Sequence, residues 1–268
     1  MAQRTDLRFW LRHLALPVAL FILAAAACEL SEVDIFVADR FFDFSRGIWP
    51  AREAWWAEWL IHKRGKDLVT AITVGSLLAW LGSFRWQRLR PLRWRFLYLV
   101  LAISLSAGTV SALKKATGRH CPWDIQRYGG SVPYTRLSEP PPQACAPGNC
   151  FPAGHASGGF SLFAGYFAWR DRRRKVARRW LGAGALLGSI YGYGQLARGA
   201  HFLSHNFWTA IICWLIPLAL YLAMRRRLSE LQSEPEQPDH RGHRGTQRTP
   251  RKSLGKGIRR GKANLADL

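Results

Sequence analysis

Acidic residues are scarce in this chain: 17 Asp+Glu face 39 Lys+Arg, giving a formal charge of +22 and a pI near 11.0. Such an excess invites a nucleic-acid reading, but its distribution argues against one. The basic residues fall in short blocks between long apolar runs, and the mean hydropathy of −0.10 averages two different populations. Cysteine is sparse as well. Five in 268 residues do not make a disulfide scaffold. The sequence has no CxxC pair, dinucleotide fingerprint or Walker loop, so redox and nucleotide chemistry have no support.

What the chain has in quantity is apolar and aromatic sequence: 49% hydrophobic residues, including 13 Trp. This excludes wholesale disorder and collagen-like repetition. Crossing roughly 30 Å of hydrocarbon takes a helix of about 17–25 apolar residues. Six stretches approach that: Leu11–Cys28, Asp67–Phe84, Phe96–Leu113, Gly154–Trp169, Trp180–Ala197 and Phe207–Met224. The expected fold is therefore an all-α, polytopic membrane bundle of six transmembrane helices over residues 1–228. The segment 229–268 lacks apolar periodicity and reads as a disordered basic tail lying against anionic lipid. Between the first two spans, Glu32–Ile61 mixes charges with Phe36, Phe41, Phe42, Trp55, Trp56 and Trp59, a pattern expected of helices lying in the membrane surface.

Orientation follows from four basic blocks: Arg4, Arg8 and Arg12; RWQRLRPLRWR; RDRRRKVARR; and Arg225 to Arg227. With six spans all four lie on one side, which the positive-inside rule makes cytoplasmic. Both termini are then inside, and the loops 29–66, 114–153 and 198–206 are outside.

Those outer loops carry the chemistry. LKKATGRHCPWD (113–124), FPAGHASGG (151–159) and QLARGAHFLSHN (195–206) each join His to basic residues or Gly-rich backbone at a span end. Ionisable groups at that depth are costly and favour a functional reading; the bland alternative is snorkelling Lys and Arg beside interfacial His. A phosphate ester needs cations and fixed N–H donors. Lys114, Arg119 and Arg198 supply charge, and the helix start at Gly154 supplies backbone N–H groups. His201 is the candidate nucleophile, His155 the candidate general acid, and His205, one turn after His201, a candidate orienting group. His201 and His205 also have the i, i+4 spacing of a metal pair, but no third ligand is evident, so no metal or cofactor is expected.

These stretches, in this order, resemble the type 2 phosphatidic acid phosphatase (PAP2) superfamily, whose helical core is shared with vanadium haloperoxidases. The resemblance covers about Phe96–Met224. In the first signature (Lys, six residues, Arg-Pro), Lys114 and Pro122 hold the outer positions and Cys121 replaces Arg. Pro152-Ala153-Gly154-His155 matches Pro-Ser-Gly-His except at Ala153. In the third, Gln195 stands at the Arg position with Arg198 nearby, His201 matches the His, and His205 stands where the family has Asp. The resemblance implies a lipid-phosphate phosphatase of a bacterial inner membrane, working on its outer face through a phosphohistidine. The same fold also serves phosphotransferases, and a degenerate site would leave a non-catalytic transporter or scaffold.

Cys121, Cys145 and Cys150 all fall on the outer side. Cys145 and Cys150 flank the turn-forming Ala-Pro-Gly-Asn, and a bridge between those two would close a tiny loop and leave Cys121 free.

Overall fold

The computed structural model describes residues 6–57, 59, 65–142 and 145–229, without the side chain of Lys66. The basic tail beyond Ser229 lies outside the described residues.

Helix α1 (Leu7–Trp10) continues through a π turn (Leu11–Ala15) into α2 (Leu16–Leu30). Then come α3 (Val33–Asp39), α4 (Gly65–Gly82), α5 (Arg93–Thr117), α6 (Gly154–Phe160), α7 (Phe163–Trp169), α8 (Arg174–Ala197) and α9 (Leu203–Ser229). The described residues contain no β-strand. Three helical stretches are long and apolar enough to cross a membrane: Leu7–Leu30, Gln87–Asp124 and Leu203–Ser229; Asp67–Gly82 is apolar but shorter. The expected fourth and fifth spans differ for physical reasons. Gly154–Trp169 is broken at Ser161 and Leu162 into two short helices, almost wholly buried within the bundle. Trp180–Ala197 in α8 carries no charge but is only weakly apolar, because Gly182, Gly184, Gly188, Ser189, Tyr191, Gly192, Tyr193, Gly194 and Gln195 dilute its leucines. The outward faces of the apolar helices expose Leu20, Leu23, Leu78, Leu81 and Leu105, as a lipid-facing surface does and a water-facing one rarely can.

Small residues let the central helices approach closely. A Cβ on Gly159 of α6 would collide with the backbone of Leu187 and Gly188 in α8, and one on Gly165 would strike Trp180. This close approach holds α6 and α7 against α8 in the manner of small-residue membrane interfaces. Around them Tyr98, Phe163, Phe167 and Trp214 fill the main core. At one end of the bundle Arg95, 4% exposed, donates to the carbonyls of Ala168 (3.2 Å) and Leu228 (3.1 Å), occupying acceptors that a helix C-terminus leaves unpaired.

The aromatic segment after α2 behaves in part differently from the surface-lying helices expected of it. Phe36, Trp55 and Trp59 are exposed, but Phe42 and Trp49 turn inward. With Ile125, Tyr128 and Phe202 they form a second, smaller core at the other end of the bundle. That core underlies the loop between α8 and α9.

Candidate active site

All three polar stretches meet at that end. Lys114 lies in the last turn of α5, which closes on Gly118 in the left-handed region (φ 60°). Gly154 opens α6 after Ala153, whose side chain cannot cap the helix. Lys114 reaches across to it: a Cβ on Gly154 would lie 3.7 Å from Lys114 Nζ. His155 follows, half-buried. Lys114, Gly154 and His155 together line a cavity of about 460 Å³ that runs between α4, α5, α6 and α8 past Val69, Val74 and Ile103.

His201 and His205 are not among the residues that line that cavity. The chain reverses after α8 at Gly199 (φ 71°), where a Cβ would strike the Trp49 ring, and its carbonyl accepts from Trp123 N at 3.0 Å. This turn delivers His201, 3% exposed, with Nδ1 3.5 Å from Cys150 Sγ. His205, also 3% exposed, meets His201 edge-to-face with ring centroids 5.8 Å apart and packs on Phe151. Its Nδ1 has no hydrogen-bond partner among the described residues. Burial first, then the unfavourable interaction of a second positive charge with His205, Lys114 and His155, holds the His201 imidazole well below its usual pKa.

Other expected site residues have different partners. The Arg119 guanidinium donates to the carbonyls of Arg136 (2.9 Å), Leu137 (2.8 Å) and Glu139 (2.6 Å), clamping the outer loop. Arg198 Nε donates to Arg52 O at 3.1 Å. Gln195 is 2% exposed, and its carbonyl accepts from Ala200 N at 2.9 Å, closing the turn before His201.

The disulfide corrects the sequence reading. Cys121 pairs with Cys150, and Cys145 is free. The reason is strand-like register between two loops: Gly148 N donates to Gly118 O at 3.0 Å and Cys150 N to Arg119 O at 2.9 Å, bringing the two Cα atoms to 5.2 Å. Far from pulling the first signature away, the bridge ties it to the segment that enters α6 and contacts His201. The closed loop spans 29 residues, for which the chain-entropy model gives about 3–4 kcal/mol. Cys121→Ser is therefore expected to lower the melting temperature in detergent by several degrees, and reductant should do the same to wild type but not to the variant.

Cys150 Sγ and the ring nitrogens of His201 and His205 lie within 4.8 Å of one another. The bridge to Cys121 removes the thiolate that a metal would need from Cys150, leaving two imidazoles.

Sequence reasoning missed Asp34. Its carboxylate accepts from Ser204 N (2.9 Å) and Ser204 Oγ (2.5 Å), capping the start of α9 one residue before His205. Burial pushes its pKa up, partly offset by those hydrogen bonds. Asp34 and His205 also line one small cavity of about 20 Å³. No local pattern in the sequence points to Asp34, because its partner Ser204 lies 170 residues away.

The fold and site thus define an all-helical protein with membrane-length apolar helices, in which a lysine, a glycine-opened helix and three histidines gather at one end. The sequence model of the PAP2 superfamily matches residues 95–229, and the chain belongs to that superfamily. No curated protein and no solved structure matches it. The superfamily consists in general of phosphatases, and its fold is of that type.

Proposed function

We propose that this protein is an integral membrane phosphatase of six spans that hydrolyses a phosphomonoester or pyrophosphate of an amphiphilic lipid through a phosphohistidine. The observation that carries the reading is the cavity joining Lys114, Gly154 and His155 to an apolar wall along α4 and α5. From Lys114 to Ile103 is eleven residues of helix, about 16 Å, which suits an acyl or isoprenyl chain whose phosphate sits under the Lys114 ammonium.

In this reading the phosphate is held by Lys114 and the backbone N–H groups at Gly154, on the side from which His201 attacks. His201 Nδ1 faces Cys150, leaving Nε2 for attack. The P–N bond forms as the P–O bond to the lipid breaks, and His155 gives its proton to the departing alkoxide. Water then attacks the phosphohistidine and passes a proton to His155 as the P–N bond breaks, which releases inorganic phosphate and returns His201 to its neutral form and His155 to its acid form. Positioning and charge supply most of the acceleration in such transfers. His205 packs beside His201 and orients it; being uncharged when neutral, it does not supply the negative charge that Asp does in the family.

The deciding experiment is phosphate release by the purified protein in detergent against phosphatidic acid, phosphatidylglycerophosphate, isoprenyl pyrophosphate and phosphorylated lipid A. Release from none of them, with no phosphoenzyme, would rule the reading out. The burial of His201 favours a second one, a lipid-phosphate-binding membrane protein without turnover. Lipid transfer of the phosphoryl group in place of hydrolysis would appear in the same assay as product without free phosphate.

The basic blocks favour cytoplasmic termini in a bacterial inner membrane, with the site on the outer face and the tail on anionic lipid. Reporter fusions should read cytoplasmic at residues 90, 175 and 240 and external at residues 50 and 135. Finding residue 135 on the same side as 175 would overturn that orientation.

A further inference from the structure

At the end of the bundle opposite the candidate active site lies a second cavity of about 700 Å³, within the size range of small-ligand pockets. The two are far apart: twenty residues of α9 separate His205 from Arg225, about 30 Å of helix. Arg12, Arg170, Arg174, Arg178 and Arg225 line this second cavity, and Asp171 is its one acidic group among the described residues.

Its floor is built and internally satisfied. His13, Trp214 and Tyr221 are buried there. Trp214 Nε1 donates to His13 O at 2.6 Å, His13 Nε2 pairs with Tyr166 OH at 2.8 Å, and Tyr221 OH donates to Asp171 Oδ2 at 2.7 Å. The other Asp171 oxygen, Oδ1, lies 3.2 Å from Arg170 Nε. The single carboxylate is therefore engaged on both sides, while four further guanidiniums face the same space. The Arg170 guanidinium lies over the rings of Phe9 (4.6 Å) and Tyr221 (5.2 Å), and its buried Nη1 has no hydrogen-bond partner among the described residues. Stacking of this kind fixes the planar fork of an arginine in one orientation.

Arginines at a helix end that merely snorkel diverge toward separate lipids. Here they come from the N-terminal helix, the end of α7, the start of α8 and the end of α9, and they line one cavity, Arg170 and Arg225 half-buried and the other three exposed. Among the described residues five arginines face one carboxylate in a small-ligand volume, an excess of positive charge that suits an anion. Bidentate guanidinium donors favour phosphate in particular, and basic pockets between transmembrane helices are suited to phosphorylated headgroups.

We propose that this cavity is a second anion site, separate from the candidate active site, that takes a phosphate-bearing group with at least two negative charges. The test uses the full chain in neutral maltoside detergent and probes that cannot be hydrolysed: methylenebisphosphonate, its dodecyl derivative, and zwitterionic dodecylphosphocholine as control. Titration calorimetry should show saturable binding of a bisphosphonate and none of the control. Arg174→Gln/Arg178→Gln and Arg12→Gln/Arg225→Gln should each weaken it at least about tenfold, and raised salt should weaken it in wild type. Lys114→Gln should leave this arginine-dependent binding in place. At least tenfold tighter binding of the dodecyl probe would identify a membrane lipid as the source. Equal binding of the two bisphosphonates would identify a soluble phosphate. The two pairs sit on different helices, so if one fails to fold by circular dichroism the other carries the test. Wild-type affinity in a folded pair, or loss of all binding in Lys114→Gln alone, would overturn the proposal.

Discussion

Replacing His201 with alanine should abolish turnover, by at least about 10⁴-fold, because no binding energy substitutes for a missing nucleophile. Rapid quench with labelled lipid phosphate should trap an acid-labile, base-stable phosphoenzyme in wild type and none in His201→Ala. The substitution truncates a buried ring, so the variant must first be shown folded by its melt in detergent. A folded variant that still turns over would leave the phosphohistidine mechanism without its central atom. A folded wild type that forms no phosphoenzyme would leave the non-catalytic reading.

The same residue sets an expectation for pH. Its pKa is lowered by burial and by the surrounding positive charge, so the neutral, nucleophilic form persists on the acid side of the usual histidine value of about 6.5. The acid limb of kcat/KM, which reports the free enzyme, should therefore fall below that pH. The stability sign agrees: the unfolded histidine takes a proton near 6.5 and the folded one resists it. This contribution to stability is complete above 6.5 and is lost as the pH falls below it. An acid limb at or above 6.5 would mean that another group controls the profile.

How much of this was legible in the sequence depends on how local the determinant is. The helices α2, α5 and α9 were, because long apolar runs specify them without reference to anything else. The gathering of Lys114, Gly154, His155 and His201 was legible through three short signatures at helix ends. The partners of Arg119 were not, because the carbonyls of Arg136, Leu137 and Glu139 belong to a loop whose path no periodicity encodes. The disulfide misled for the same reason. Sequence proximity favoured Cys145 with Cys150, while the pairing follows hydrogen bonds between residues 118–119 and 148–150 that exist only once the loops are folded. Asp34 is a long-range case too, 170 residues from the serine it holds. The break at Ser161 and Leu162 lay hidden in a stretch that reads as one apolar segment.

His155→Ala tests whether the residue on the cavity wall is an acid or a piece of scaffold. A positioned general acid contributes about 10²–10⁴-fold when the leaving group is a poor one, and a lipid alkoxide is among the poorest. With phosphatidic acid, His155→Ala should therefore lose activity by that factor, chiefly in kcat. An aryl phosphate with an acidic phenol departs with little help, so the same variant should retain most of its wild-type rate on that substrate. The contrast between the two substrates is the informative quantity, because a substitution that only disturbs α6 would slow both alike. His155 and Lys114 line the same apolar cavity, so lost binding would raise KM for the lipid and leave kcat in place. Equal loss on alkyl and aryl substrates would assign His155 to packing or phosphate binding, and the proton for the leaving group would then have to come from elsewhere in the site.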